Sequence, residues 1–205
     1  MIRLYRAPYS TNVERVAIAL AHKGVEVESV VIDYADRSPV EAVSGQGLVP
    51  VIVDDGEVVV DSTAILRHLD ERYPDRPLFP DDPARRAEAE VFLEWFNEVW
   101  KHPPNTINVL LGAPEPDRER IAALGARITG WVEVFERLLT GRDHLLGDAL
   151  SAADCAAYPF LKFAVGDLPA DDDDPFHAIL AEYQSVDGHP RLAGWIERMR
   201  ALPQV

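Results

Sequence analysis

At 205 residues the chain is long enough for one large domain or two small ones, and a hydrophobic content of 47% supports a buried core rather than wholesale disorder. The net charge of −15 argues against nucleic acid or an anionic membrane as a partner. The single cysteine, Cys155, excludes an intramolecular disulfide and a cysteine-rich metal site, so no metal is predicted. The absence of an apolar leader and of a membrane-length apolar run predicts a cytoplasmic protein with no membrane partner.

The first 80 residues alternate between strand and helix patterns. Apolar residues recur at helical spacing before Gly24, a typical helix stop, and Asp55-Gly56 is typical of a tight hairpin turn. The predicted elements are strand 2–5, helix 12–23, strand 27–32, a short helix ending near Val43, strands 51–53 and 57–60, and helix 62–73. This order predicts a small α/β domain.

The rest of the chain shows only helical patterns. Pro74, Pro77 and Pro80 end the preceding helical pattern, so residues 74–83 are predicted to be a linker. The predicted helices are 83–100, 117–139, 151–163, 175–183 and 190–202, with a capping box at Ser151 to Asp154 and a solvated acidic loop at 171–174. We therefore predict an α/β domain at 1–80 and an all-helical domain at 84–205.

Ser10 lies where the first predicted strand passes into the first helix. A helix N-terminus stabilises a nearby anion through its free N–H groups and its dipole. A serine there cannot exchange disulfides, but its hydroxyl can donate a hydrogen bond to the thiolate of another molecule. The alternative is that Ser10 only caps the helix.

Two dipeptides indicate a peptide-binding site. Pro50 stands between the β-branched residues Val49 and Val51, where a proline cannot complete a strand ladder and leaves backbone groups for another partner. Asp61-Ser62 joins a predicted strand to a helix and supplies a carboxylate and a hydroxyl. Together they suggest a site for a small peptide with a free α-amino group, although Asp61 and Ser62 could also serve only as helix caps.

These segments resemble the soluble glutathione transferase family, whose N-terminal domain has a thioredoxin-like fold and whose C-terminal domain is helical. The resemblance covers nearly the full chain. The segments that carry it are 7–20, Gly47-Leu48-Val49-Pro50-Val51-Ile52, Asp61-Ser62-Thr63-Ala64-Ile65, the cap Ser151-Ala152-Ala153-Asp154, and His189 to Trp195.

The resemblance implies a serine-type active site. Ser10 would be the catalytic residue, Pro50 would be cis, and Val49 would pair its backbone with the cysteinyl part of glutathione like an added strand. Asp61 and Ser62 would hold the γ-glutamyl end. The other substrate-binding positions are Tyr9, Asn12 and Leu48.

The resemblance also implies a homodimer and a small electrophilic substrate between the domains. The candidates to line that electrophile site are Pro8, Tyr9, Trp95, Asn97, Trp100, Lys101 and His102. The alternative for Trp95 and Trp100 is that they are core or interface residues.

Three departures from the family pattern limit the activities and the glutathione contacts that the resemblance implies. Cysteine-type members carry Cys at the place of Ser10, so deglutathionylation is disfavoured. Zeta-like isomerases would show Ser-Ser-Cys where this chain reads Ser-Thr-Asn, so maleylacetoacetate isomerisation is disfavoured. Leu48 replaces the usual polar residue before Val-Pro, which leaves Arg37 as a substitute anchor for the glycyl carboxylate.

The resulting hypothesis is a transferase that conjugates the glutathione thiolate to a small, hydrophobic electrophile. One alternative is a non-catalytic module of the same fold that serves in binding or dimerisation. The other is a transferase for a different low-molecular-weight thiol.

Overall fold

A computed structural model describes residues 1–166, 168 and 170–205, and these divide into two units. The first unit comprises Met1–Pro83 with Leu202–Val205, and the second comprises Ala84–Ala201. The last four residues, which the sequence analysis placed in the helical domain, therefore group with the first unit. Arg6 Nη1 donates a hydrogen bond to the Val205 carbonyl, and Gln204 Nε2 lies 3.3 Å from Glu14 Oε1, which explains this grouping.

The first unit is built on a four-stranded mixed sheet. Its elements are β1 (Ile2–Arg6), α1 (Thr11–Lys23), β2 (Val27–Val31), α2 (Ser38–Ser44), β3 (Val51–Asp54), β4 (Glu57–Val60) and α3 (Ser62–Arg72). The strand order is β2-β1-β3-β4, with β1 parallel to β2 and antiparallel to β3, and β3 antiparallel to β4. The predicted hairpin is confirmed, and both Asp55 and Gly56 have the positive φ that a tight turn of this kind requires.

One row of this sheet positions three loop segments. Tyr5 of β1 pairs with Val51 of β3, and Val51 pairs in turn with Val60 of β4. Because β1 and β4 both end near this row and β3 begins on it, the segments 7–10, 49–50 and 61–62 all leave the sheet at one edge.

Two buried contacts join α1 to α3. Near the end of α1, Lys23 Nζ lies 3.2 Å from Asp70 Oδ1 and donates to the Tyr73 carbonyl at 2.8 Å. Near the start of α1, Arg15 contacts Ser62, the first residue of α3. The two helices are therefore fixed at both ends of their contact.

The second unit is helical throughout its regular elements. These are α4 (Pro83–Glu94), which begins on the last residue of the first unit, a π-helical segment (Trp95–Trp100), α5 (His102–Leu111), α6 (Arg118–Leu138), α7 (Ala152–Leu161), a 3₁₀ segment (Lys162–Val165), α8 (Pro175–Tyr183) and α9 (Pro190–Arg200). The helical patterns in the sequence do not predict α5. Pro103 and Pro104 break a helix interior, but they are tolerated in the first turn of a helix, where their missing N–H groups would have had no partner. None of the helices in the described ranges is long and apolar enough to cross a bilayer.

An aromatic cluster forms part of the core of the second unit. Trp100 is 1% exposed and stacks on Phe96 with ring centroids 4.5 Å apart. Trp95 meets Trp131 edge to face at 5.8 Å. Trp100 is therefore a core residue, which is one of the two alternatives that the sequence left open.

The predicted capping box at the start of α7 is confirmed. Asp154 is fully buried, and its Oδ2 accepts hydrogen bonds from the Ser151 N–H at 2.9 Å and the Ser151 hydroxyl at 2.7 Å. Its Oδ1 accepts from Leu145 N and Trp195 Nε1, both at 2.9 Å. One carboxylate thus connects α7, the preceding loop and α9.

The acidic run is only partly solvated, so its prediction as a solvated loop is wrong for Asp172. The Asp172 side chain is 1% exposed, and its Oδ2 lies 2.7 Å from His177 Nδ1. Asp174 caps α8 by accepting from the Phe176 N–H at 2.9 Å. These two carboxylates have local structural partners.

Candidate active site

Ser10 is the N-cap of α1. Its Oγ accepts a hydrogen bond from the Val13 N–H at 3.3 Å, and the residue is half-buried. The capping alternative is therefore real, but it uses only the acceptor capacity of the hydroxyl. Because a hydroxyl also carries one donor hydrogen, Ser10 can cap α1 and donate to an anion at the same time.

The turn before Ser10 is fixed from the neighbouring loop. Tyr9 has φ of 59° and is 45% exposed, while the Tyr34 hydroxyl donates to the Pro8 carbonyl at 3.1 Å. Asn12 is half-buried in the first turn of α1. These contacts place Tyr9, Ser10 and Asn12 on one short segment at the sheet edge.

The Val49-Pro50 peptide bond is cis, which confirms that prediction. Pro50 is buried and Val49 is half-buried. The proline lies directly before Val51, so it stands outside the ladder that begins there. The backbone at Val49 is thus brought to the same edge as Ser10.

Leu48 presents its side chain to solvent and its backbone to Gln46. It is 72% exposed, its N–H donates to Gln46 Oε1 at 2.6 Å, and its carbonyl accepts from Gln46 Nε2 at 2.9 Å. Arg37, the expected substitute anchor, donates to the Gly47 carbonyl at 2.6 Å and lies over the Tyr34 ring at 5.2 Å. Arg37 therefore ties the loop before the cis-proline to the loop after β2.

Asp61 caps α3 in an unusual backbone conformation. Its φ and ψ are 71° and 126°, and its Oδ1 accepts from the Thr63 and Ala64 N–H groups, both at 2.9 Å. Positive φ in a residue with a side chain costs about 1–3 kcal/mol and is often found at functional sites. Both capping bonds use Oδ1, so Oδ2 lies outside them.

Ser62 accepts a hydrogen bond from a buried cation. Arg15 Nη1 donates to Ser62 Oγ at 3.3 Å, and the two residues are 1% and 5% exposed. The sheet row at Tyr5, Val51 and Val60 thus brings the segments that carry Ser10, Val49-Pro50 and Asp61-Ser62 to one edge of the first unit.

Comparison with known proteins identifies the family. The model for the glutathione S-transferase N-terminal domain matches residues 4–77, and the model for the C-terminal domain matches residues 118–198. Glutathione S-transferase F10 of Arabidopsis thaliana is 30% identical over 182 residues, which cover 82% of this chain and 83% of that protein. The chain belongs to the glutathione S-transferase family.

Two further proteins are similar to most of the chain. Maleylacetoacetate isomerase of Pseudomonas aeruginosa is 41% identical over 172 residues, which cover 80% of this chain and 81% of that protein. The crystal structure of a glutathione S-transferase from Rhodospirillum rubrum F11 has a TM-score of 0.76 at 28% identity, covering 99% of this chain and 89% of that one. The predicted thioredoxin-like domain followed by a helical domain is confirmed.

Members of the glutathione S-transferase family use glutathione as a substrate, so the edge that carries Ser10 is the candidate glutathione site. Sequence reasoning missed Arg15 and Gln46. Arg15 carried no distinguishing signal, because it stands beside Glu14 and lies off the helical stripe formed by Val13, Val16 and Leu20. Gln46 carried none that distinguishes it from a solvated loop residue.

Proposed function

We propose that the chain is a glutathione transferase in which Ser10 stabilises the glutathione thiolate. The observation that supports this is the position of Ser10 Oγ at the N-terminus of α1, on the sheet edge shared with cis-Pro50 and Asp61. The helix N-terminus and the hydroxyl hydrogen both favour the anionic form of a thiol placed there.

Two features support recognition of the peptide. The Asp61 Oδ2 atom, outside the capping bonds, would accept from the γ-glutamyl ammonium, while Ser62 and the start of α3 would hold its carboxylate. Val49, beside the cis-proline, would pair its backbone with the cysteinyl residue. The exposed Leu48 offers no charge to the glycyl carboxylate, so we expect that end to be held less tightly.

The proposed reaction is a nucleophilic addition or substitution. The thiol loses its proton to solvent, and the thiolate sulfur forms a bond to an electrophilic carbon. The electron pair displaced from that carbon leaves with a leaving group or moves to a conjugated oxygen. The Ser10 hydroxyl stabilises the thiolate without itself giving up a proton.

The test is a spectroscopic titration of the thiol of bound glutathione in the wild type and in Ser10→Ala. Losing one hydrogen bond to an anion should raise the pKa of the bound thiol by about one to two units. Thr11→Val is the matched control, because it removes the next hydroxyl along the chain. An equal thiol pKa in wild type and Ser10→Ala would contradict the role of Ser10.

A second candidate function is glutathione-dependent isomerisation. The 41% identity to maleylacetoacetate isomerase favours it, although Ser10-Thr11-Asn12 departs from the motif expected for that activity. The same thiolate would add to a conjugated double bond, allow rotation about the resulting single bond, and leave again. Glutathione would then be regenerated rather than consumed.

The two activities differ in thiol stoichiometry. We expect conjugation to consume one free thiol for each product, which a thiol assay with limiting glutathione measures directly. Many turnovers of maleylacetoacetate for each glutathione would instead support the isomerase. Saturable glutathione binding with neither reaction would support the non-catalytic alternative.

A further inference from the structure

We propose that Arg15 positions Ser62 for the carboxylate at the γ-glutamyl end of glutathione. This inference rests on the proposed function, since it concerns the same ligand. Arg15 lies on α1, is 1% exposed, and its Nη1 donates to Ser62 Oγ at 3.3 Å. Ser62 is 47 residues away in sequence and opens α3.

A buried arginine at this place is costly for stability alone. The guanidinium stays charged at every relevant pH, and removing it from water costs several kcal/mol before any partner is counted. Well-packed apolar residues are often as stabilising as a buried charge or more so. A permanent positive charge beneath the start of α3 would favour an anion bound at this end of the helix.

The hydrogen bond from Arg15 sets the direction of the Ser62 hydroxyl. A guanidinium has only donors, so Ser62 Oγ is the acceptor and the hydroxyl hydrogen must point away from Arg15. Ser62 is thereby prepared as a donor. A carboxylate is an acceptor at both oxygens, so it suits this hydroxyl better than an ammonium does.

Arg15 and Asp61 place charges of opposite sign at the candidate site for the γ-glutamyl end. Asp61 is exposed and presents a negative charge, while Arg15 is buried behind Ser62 and adds a positive charge to the helix N-terminus. An amino-acid end with both an ammonium and a carboxylate would bind in one orientation only. Arg15 is thus a positioning residue that acts through Ser62.

The experiment compares two buried cations on α1. Arg15→Met should weaken glutathione binding, measured by calorimetry, about tenfold, as expected for one hydrogen bond to a charged group. Lys23→Met is the matched control, because Lys23 is also buried and also joins α1 to α3, but at the far end. Lys23→Met should lower the unfolding temperature and leave glutathione affinity unchanged. Arg15→Lys keeps the charge and should restore part of the affinity, which provides a second variant if Arg15→Met does not fold.

Specificity for the carboxylate is tested with a glutathione analogue that lacks the α-carboxylate of its γ-glutamyl residue. Wild type should bind this analogue more weakly than glutathione, whereas Arg15→Met should bind the two more nearly alike. Adding Arg15→Met to Ser62→Ala should cost less affinity than adding it to the wild type, because the two residues act through one hydroxyl.

The possible outcomes distinguish failure of the proposed function from failure of the proposed role of Arg15. Absence of glutathione binding by the wild type would overturn the proposed function and this inference together. Wild-type binding with equal losses for Arg15→Met and Lys23→Met, or with fully additive effects of Arg15→Met and Ser62→Ala, would overturn the inference and leave the proposed function standing.

Discussion

Two serines at the sheet edge, Ser10 and Ser62, each accept a hydrogen bond from a group that can only donate. For Ser10 the donor is the Val13 N–H, and for Ser62 it is the guanidinium of Arg15. In both cases the hydroxyl hydrogen is left for another acceptor. Capping a helix and binding a ligand are therefore compatible roles for one serine, and the choice between them posed by the sequence does not have to be made.

A second polar cluster of the first unit joins the end of β3 to α3. The Tyr73 hydroxyl donates to Asp54 Oδ1 at 2.8 Å, and His68 Nε2 lies 2.8 Å from Asp54 Oδ2. Burial raises the pKa of Asp54, but the hydrogen bonds from His68 and Tyr73 outweigh it and hold that pKa below its ordinary value. Burial raises the pKa of Tyr73, and the hydrogen bond to Asp54 raises it further, to about 12.

The raised pKa of Tyr73 makes stability depend on pH in the alkaline range. A tyrosine whose pKa is higher in the folded state contributes fully below its unfolded value of about 10, and that contribution is lost as the pH rises towards about 12. We expect Tyr73→Phe to lower the free energy of unfolding by about 1.5 kcal/mol at neutral pH. The difference between the two proteins should shrink above about pH 10.

Urea denaturation of wild type and Tyr73→Phe at a series of pH values from neutral to alkaline measures this difference. At each pH, subtracting the free energy of unfolding of one protein from that of the other cancels the titration of the groups that both proteins share. A constant difference across the alkaline range would show that Tyr73 does not titrate as expected.

At the scale of elements, α6 and α8 pack closely at Gly125 of α6, because glycine has no side chain. Gly125 is buried on α6, and a Cβ built there would overlap the ring of Tyr183 at the end of α8. Thr129 Oγ1 lies 3.2 Å from the Gly125 carbonyl and donates to the Tyr183 carbonyl at 2.8 Å. The close approach of the two helices thus depends on the absence of a side chain at Gly125.

Two glycines of α6 allow a matched test. Ala favours a helix over Gly by about 1 kcal/mol, so Gly130→Ala, where an added Cβ meets no atom within 4 Å, should stabilise the protein by about 0.5–1 kcal/mol. Gly125→Ala should destabilise it by about 1–3 kcal/mol, because the added methyl group must displace the Tyr183 ring. Chemical denaturation measures both values. A change of the same sign in the free energy of unfolding of both variants would contradict this account of the helix contact.

At the scale of the whole molecule, the sequence predicts what local chemistry determines. Gly24, the Asp55-Gly56 turn and the Ser151 to Asp154 capping box each mark an element boundary through residues close in sequence, and the structure has these features. Periodicity predicts the strands of the first unit for the same reason.

The sequence does not predict features that depend on a contact with a residue distant in the chain or on where a residue falls within a helix. The burial of Arg15 depends on Ser62, 47 residues away, and the burial of Asp172 depends on which way His177 faces on α8. The start of α5 at Pro103-Pro104 depends on those prolines falling in a first turn. Residue type alone does not contain this information.

The row formed by Tyr5, Val51 and Val60 has a consequence for the thermodynamics of ligand binding. Because strand hydrogen bonds fix the points at which the three site segments leave the sheet, much of the conformational entropy of these segments is lost when the chain folds and not when a ligand arrives. Ligands that bind preformed sites lose less affinity to ordering and associate without waiting for a conformational change. Variation in the exposed side chains around this edge, such as Leu48, can then alter what is bound while the spacing of the segments stays constant.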